Sequence, residues 1–178
     1  MNDGATLARV SLYPSPPPST LARIPSGDAG TLRTLDEMVK LVRRWKKDAG
    51  IWKLSRQIVQ PVPAHDYRGE VDAIFHWVKR NIRYTQDVRD VETLATPKAT
   101  LEARAGDCDD MATLLATLLE SVGHPARFIA VSFPGEAFSH VIAETRIGPS
   151  WVALDTTVAK ATVGWRPPGI DRTMIRHI

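Results

Sequence analysis

Cysteine is nearly missing from this chain: Cys108 is the only one among 178 residues. No intramolecular disulfide can therefore staple the fold. Long apolar runs are missing as well, and none approaches the roughly 20 residues needed to span a bilayer. The opening residues Met1-Asn2-Asp3-Gly4 lack the basic-then-apolar layout of a secretory leader. A protein made in the cytoplasm, with no membrane insertion, is expected. There is no zinc-ligand spacing, no RNA-binding signature and no interleaving of aromatic with basic residues, so no nucleic-acid partner is expected. No cofactor or metal is implied.

What remains is ordinary globular composition, 43% hydrophobic and 24% charged, on a chain long enough for one domain with a real core. The net charge of +3 is unevenly spread: residues 1–60 carry ten Lys/Arg against five Asp/Glu, residues 61–133 eight against eleven. Arg43, Arg44, Lys46 and Lys47 concentrate the basic excess on one helix, which reads as a solvated face. Five prolines between residues 11 and 30 fix φ and remove amide donors, so residues 1–30 read as an extended arm. Residues 31–163 form the expected domain, and residues 164–178 an extended tail.

The pattern predicts helices first. Thr34 with Glu37 reads as a capping box opening a helix from about Leu35 to Asp48, which Gly50 ends. A second runs from Ile51 to Val59 before Pro61 and Pro63. A third begins near Gly69, buries Val71, Ile74, Phe75, Val78 and Ile82, and leads to Tyr84 on a short extended piece. Thr96-Pro97 opens a brief helix to about Arg104. The central helix is the strongest: Cys108, Met111, Leu114, Leu115, Leu118, Leu119 and Val122 share one face, with Gly123 as the residue past its end. The period then changes to two over Arg127–Phe133, Phe138–Thr145 and Trp151–Asp155. Helices followed by antiparallel strands make an α+β fold.

Cys108 follows Gly106-Asp107 at the first turn of that helix, where the helix dipole and unpaired N–H groups favour a thiolate. A hairpin turning near Ile147-Gly148 sets His140 directly opposite Asp155, with both side chains on one face. The chemistry needs this combination. An imidazole accepts the thiol proton, and a carboxylate holds the imidazole in the useful tautomer. The Cys108 N–H is an oxyanion donor, and Tyr84 and Gln86 are candidates for the second. Asp107 reads as the helix cap, while Asp109 and Asp110 are expected to point away from the thiol. His65, His76, His124 and His177 read as structural or solvated.

The ordered set Tyr84, Thr96-Pro97-Lys98-Ala99-Thr100-Leu101-Glu102, Gly106-Asp107-Cys108-Asp109-Asp110, His140 and Trp151-Val152-Ala153-Leu154-Asp155 resembles the transglutaminase-like superfamily of papain-related cysteine enzymes. The resemblance spans about Val71 to Thr157. It is nearest to small transglutaminase-like proteins encoded among bacteriophage and prophage structural or tail genes. It implies Cys, His and Asp roles for Cys108, His140 and Asp155, and a central helix packed on an antiparallel sheet. Two positions depart from the family pattern: Ile142 where an aromatic is frequent, and Thr156 where proline is frequent. Two functions follow as expectations. One is a thiol hydrolase of an amide or peptide bond, with a peptide or protein as substrate. The other is a virion or tail component using the fold as a docking module, with other phage structural proteins as partners through arm and tail.

Overall fold

A computed structural model describes residues 27–86 and 94–178. Most of the arm expected over residues 1–30 lies outside the described residues. Its end does not, and it is helical: α1 spans Asp28–Trp45. The helix thus starts well before Leu35. The first-turn amides of Gly30 and Thr31 donate to the Gly27 carbonyl, and Asp28 sits where an acid favours the helix dipole. Thr34 is buried inside the helix instead of capping it. At the other end, Asp48 caps α2 (Ala49–Val59) by accepting from the amides of Gly50 and Ile51 at 2.9 and 3.0 Å. Gly50 therefore opens α2 and does not end α1. The basic cluster is only partly solvated, since Lys46 pairs with Glu120 at 2.8 Å.

α3 (Tyr67–Asn81) is capped by Asp66 and leads into β1 (Arg83–Tyr84). α4 (Pro97–Ala103) is capped by Thr96, as its Thr-Pro start requires, and β2 (Ala105–Gly106) follows. α5 (Cys108–Ser121) is buried on every side from Asp110 to Leu119, because α1 to α4 surround it on one side and the sheet on the other. Its end is a Schellman motif: Gly123 takes φ +96°, its amide donates to Glu120, and the His124 amide donates to Leu119.

Four strands form the sheet: β3 (Ala126–Ser132), β4 (Phe138–Ile147), β5 (Ser150–Leu154) and β6 (Arg172–His177), in the order β5-β4-β3-β6, all antiparallel. The fold class is α+β, as the switch of period from 3.6 to 2 indicates. Phe128, Ala130, Val141, Ala143 and Leu154 face the helices and join their core. Ile129, Val131, Ile142 and Ala153 face the other way, where Phe133 and Ile170 pack on them. The segment expected as an extended tail packs Ile170 on this outer face and then joins the edge of the sheet as β6. Glu144, fully buried there, is held by Arg127 and Arg166.

The β4–β5 register differs from the expected one by two residues. Gly148, at φ +60°, and Pro149 make a two-residue turn that pairs Ile147 with Ser150 and Ala143 with Leu154. Asp155 thus comes level with residue 142, and His140 is its diagonal neighbour on the same face. A shift of two preserves the face, so the pair survives.

Candidate active site

Construction of the site begins at Gly106. A Cβ there would lie 2.7 Å from the Asp110 Cβ, so only glycine lets the chain enter α5 at this point. β1 pairs in parallel with β2, Tyr84 opposite Gly106, and the Thr85 amide donates to the Gly106 carbonyl at 2.9 Å. That short ladder sets Tyr84 and Gln86 beside the cysteine. The three acids of the motif do different things. Asp107 caps α5 by accepting from the Asp110 amide at 2.9 Å. Asp110, buried, accepts from the Ala95 amide at 2.8 Å and ties down the segment leading into α4. Asp109 does not point away: its Oδ1 accepts from the Cys108 thiol at 3.4 Å.

Burial, reinforced by this contact, runs against the expectation of a readily formed thiolate. Burial pushes the Cys108 thiol well above its ordinary range, and the carboxylates of Asp109 and Asp107 push the same way. The Val141 backbone N–H, hydrogen-bonded to the sulfur, opposes them and is outweighed. Burial and the two carboxylates together favour the neutral thiol.

His140 and Asp155 are joined, Nε2 to Oδ2, at 2.9 Å. Asp155 is buried, and its other oxygen accepts from the Thr157 amide at 3.0 Å and hydroxyl at 2.7 Å. Burial alone would raise this carboxyl; the hydrogen bonds from His140 and Thr157, with attraction to the imidazole, outweigh it and hold the group below its usual range. An ionised Asp155 requires Nε2 to carry the proton, which leaves Nδ1 as the basic atom of the ring.

A bulge in β4 lies beside His140, on the wall of the cavity that also holds the cysteine. Val131 pairs with His140 and Ser132 with Phe138, so Ser139 is the extra residue. Bulges re-aim side chains, and here Phe138, Ser139 and His140 all line a cavity of about 240 Å³ that also holds Cys108, Asp109 and Tyr84. A second cavity holds Asp155 without Cys108, and His140 and Tyr84 belong to both. The sulfur's hydrogen bond runs to Asp109; the imidazole shares its cavity, and the neighbouring Val141 amide touches the sulfur.

Tyr84 is 43% exposed. Its phenol is raised by partial burial and then by the nearby Cys108, Asp107, Asp155 and Asp109, so it stays a protonated donor at the junction of the two cavities. Of the remaining histidines, His124 is buried against Glu70 at 2.7 Å, while His65, His76 and His177 are exposed. None of the four lines either cavity. Among the described residues no cluster of His, Cys, Asp or Glu could hold a metal ion, and no helix is long and apolar enough to cross a membrane.

Sequence reasoning missed Thr157 and Lys79. Thr157 carries a readable signal, since a Thr two residues past an Asp is an Asx-turn pattern. Lys79 carries none. Its ammonium donates to the carbonyls of Val158, Ala159 and Ala161 at 3.0, 2.9 and 2.7 Å, pinning from α3 the loop that follows Asp155.

A family model described as the transglutaminase-like superfamily matches residues 53–156. No curated protein matches the sequence. Among solved structures, a candidate cysteine protease from Cytophaga hutchinsonii is 22% identical over 68% of this chain and 42% of its own, with a TM-score of 0.53. A candidate protease from Parabacteroides distasonis is 14% identical, over 72% and 27% of the two chains, at 0.56. Calcium-bound LapG of Legionella pneumophila is 15% identical, over 77% and 80%, at 0.54. The chain thus spans less than half the length of the first two. These likenesses are likenesses of fold.

Proposed function

The chain belongs to the transglutaminase-like superfamily, and from that premise we propose that it is a thiol hydrolase cleaving an amide or peptide bond through a Cys108 acyl-enzyme. The observation that carries this reading is the convergence on one cleft of a helix-mouth thiol and an imidazole already bonded to a buried, ionised aspartate. The protease names attached to the Cytophaga and Parabacteroides neighbours agree with it.

In this reading Cys108, His140 and Asp155 act in turn. The thiol swings from Asp109 to His140 and gives its proton to Nδ1 as the sulfur attacks the scissile carbonyl. Asp155 stabilises the imidazolium without taking its proton. The oxyanion is held by the Cys108 N–H and by Tyr84 or Gln86. The C–N bond then breaks, the imidazolium protonates the departing amine, and a thioester remains on Cys108. Water, deprotonated by His140, attacks the thioester, and the C–S bond breaks to return the thiol. Water is the default acceptor unless an amine site excludes it.

The test is trapping of the acyl-enzyme. A peptide thioester incubated with the protein should add the acyl mass to Cys108, and Cys108→Ala should abolish both adduct and turnover while leaving the thermal melt unchanged. Turnover that survives Cys108→Ala refutes the assignment.

A docking role in a phage virion or tail is compatible with an active site. Its motivations in the chain are the proline-rich arm, of which residues 1–26 lie outside those described, the basic first helix and the extended C-terminal segment. That last segment is engaged with α1: Arg172 and Arg176 pair with Asp28 and Asp36 at 3.0 and 2.9 Å. Deleting residues 1–26 and assaying particle assembly tests the docking role, which normal particles built without the segment would argue against.

A further inference from the structure

The second cavity, of about 290 Å³, extends beyond the groups used in the chemistry described above, although His140, Asp155 and Tyr84 form part of its lining. It contains His140 and Asp155 but not Cys108, whereas the first cavity contains Cys108 and His140 but not Asp155. We propose that it is the leaving-side subsite, and that it selects substrates carrying a bulky apolar or aromatic residue immediately after the scissile bond. The proposal rests on the hydrolase reading.

Bond mechanics set the direction. The scissile carbon must lie at the sulfur and the scissile nitrogen at the imidazole, because that ring delivers the proton on which the amine departs. Whatever follows the nitrogen is then carried across the ring, away from Cys108 and towards the second cavity. Tyr84, common to both, forms the shared wall.

The lining sets the chemical class. Beyond the catalytic pair, Tyr84 and Thr157, the walls are apolar and aromatic: Phe133, Val158, Trp165 and Pro167, with the Lys160 ammonium 5.9 Å from the centre of the Trp165 ring. The one carboxylate present, Asp155, already accepts from His140 on one oxygen and twice from Thr157 on the other. It offers little to a cationic side chain, and an acidic one would face it unfavourably. An apolar group loses nothing there and gains aromatic surface.

The subsite is also held in shape before substrate arrives. Lys79 fastens three carbonyls of the loop that carries Val158. The Gly164 amide donates to Ala153 at 2.8 Å and the Trp165 amide to Thr162 at 2.9 Å, and Arg166 is paired with the buried Glu144. Trp165 is thereby fixed on both sides, so little ordering is left to be done on binding.

The experiment uses the full chain and peptides with a common acyl half that differ only in the residue after the scissile bond. Phe should exceed Ala by roughly 10- to 30-fold in kcat/KM, the scale on which apolar pockets discriminate, and Asp should fall below Ala. Deacylation, which sees only the common acyl half, should not vary. Trp165→Ala should bring the Phe/Ala ratio close to one; Trp165→Leu, which keeps apolar volume, should give an intermediate ratio and guards against misfolding of the alanine variant. Binding is read separately in Cys108→Ala by NMR: phenylalaninamide should shift the Trp165 indole N–H at concentrations where alaninamide does not. Equal binding of the two amides, or a Phe preference that persists in a folded Trp165→Ala, overturns the subsite. Selective binding by a protein that never forms an acyl-enzyme overturns the hydrolase reading and upholds the ligand class of the cavity.

Discussion

Replacing Asp109 by asparagine removes one charge and keeps the shape. In the native chain the carboxylate oxygen lies 3.4 Å from the Cys108 sulfur, so forming the thiolate sets two negative charges side by side. With an effective dielectric of about 40, between the surface value and bulk water, their repulsion is roughly 2.4 kcal/mol. Removing it enlarges the thiolate fraction at neutral pH by about 60-fold. A less basic thiolate is also a weaker nucleophile, with a Brønsted coefficient of about 0.4–0.5, and this returns around half of the gain on a logarithmic scale. The net expectation is a rise of about tenfold in the rate of Cys108 alkylation at pH 7. Iodoacetamide under pseudo-first-order conditions reports it cleanly, because the chain has no other cysteine. The rate should climb with pH in both proteins, with the asparagine variant reaching its plateau earlier. Alkylation of Asp109→Asn at or below the native rate refutes the argument that this carboxylate holds the thiol neutral.

Lys79→Met removes the ammonium from three carbonyls; about 2 kcal/mol of unfolding free energy should be lost. The loop that carries Thr157 should loosen with it, so kcat should fall with KM little changed; an unchanged kcat in the folded variant defeats the link. Gly106→Ala forces a Cβ to within 2.7 Å of Asp110, and thermal melts should register a loss of roughly 1–3 kcal/mol. Stability should fall at both ends of the pH scale. Cys108 and Tyr84 are raised in the fold, so their contribution is complete below their unfolded values of about 8.5 and 10 and is lost as pH rises beyond them. Asp155 is lowered, so its contribution is present above about 3.9 and disappears as pH falls. Urea midpoints across pH should show both limbs, and Cys108→Ser should flatten the alkaline one near pH 9; parallel profiles would contradict this.

How much of this was legible in the sequence depended on how local the cause was. The central helix announced its start, face and stop, and Gly123 ends it by the expected geometry. The class change from helices to strands followed from the period alone. The start of α1 did not, because its first turns are held by a pairing of Asp28 with Arg172, 144 residues away. Capping residues mid-pattern misled in the same way: Thr34 looked like a cap and is buried, while Asp48 is the cap that begins the next helix. The His140–Asp155 pairing survived a wrong register because the error was two residues, which keeps the face. The behaviour of Asp109 was not legible, since angular position around a helix says nothing about a side chain that folds back on its neighbour.

The ion pairs between α1 and β6 reach further than the surface they occupy. Thr31 and Thr34, on the same helix, line the cavity that holds the sulfur. Leu35, Met38, Val39 and Val42 keep the body of the helix seated, and no electrolyte reaches them. Its first turn is different, for the ion pair of Asp28 with Arg172 that ties it to β6 is exposed to water. Raising ionic strength from 0.1 to 1 M shortens the reach of charge from about 10 to about 3 Å, and the lip of the cleft is the part of the molecule that slackens first.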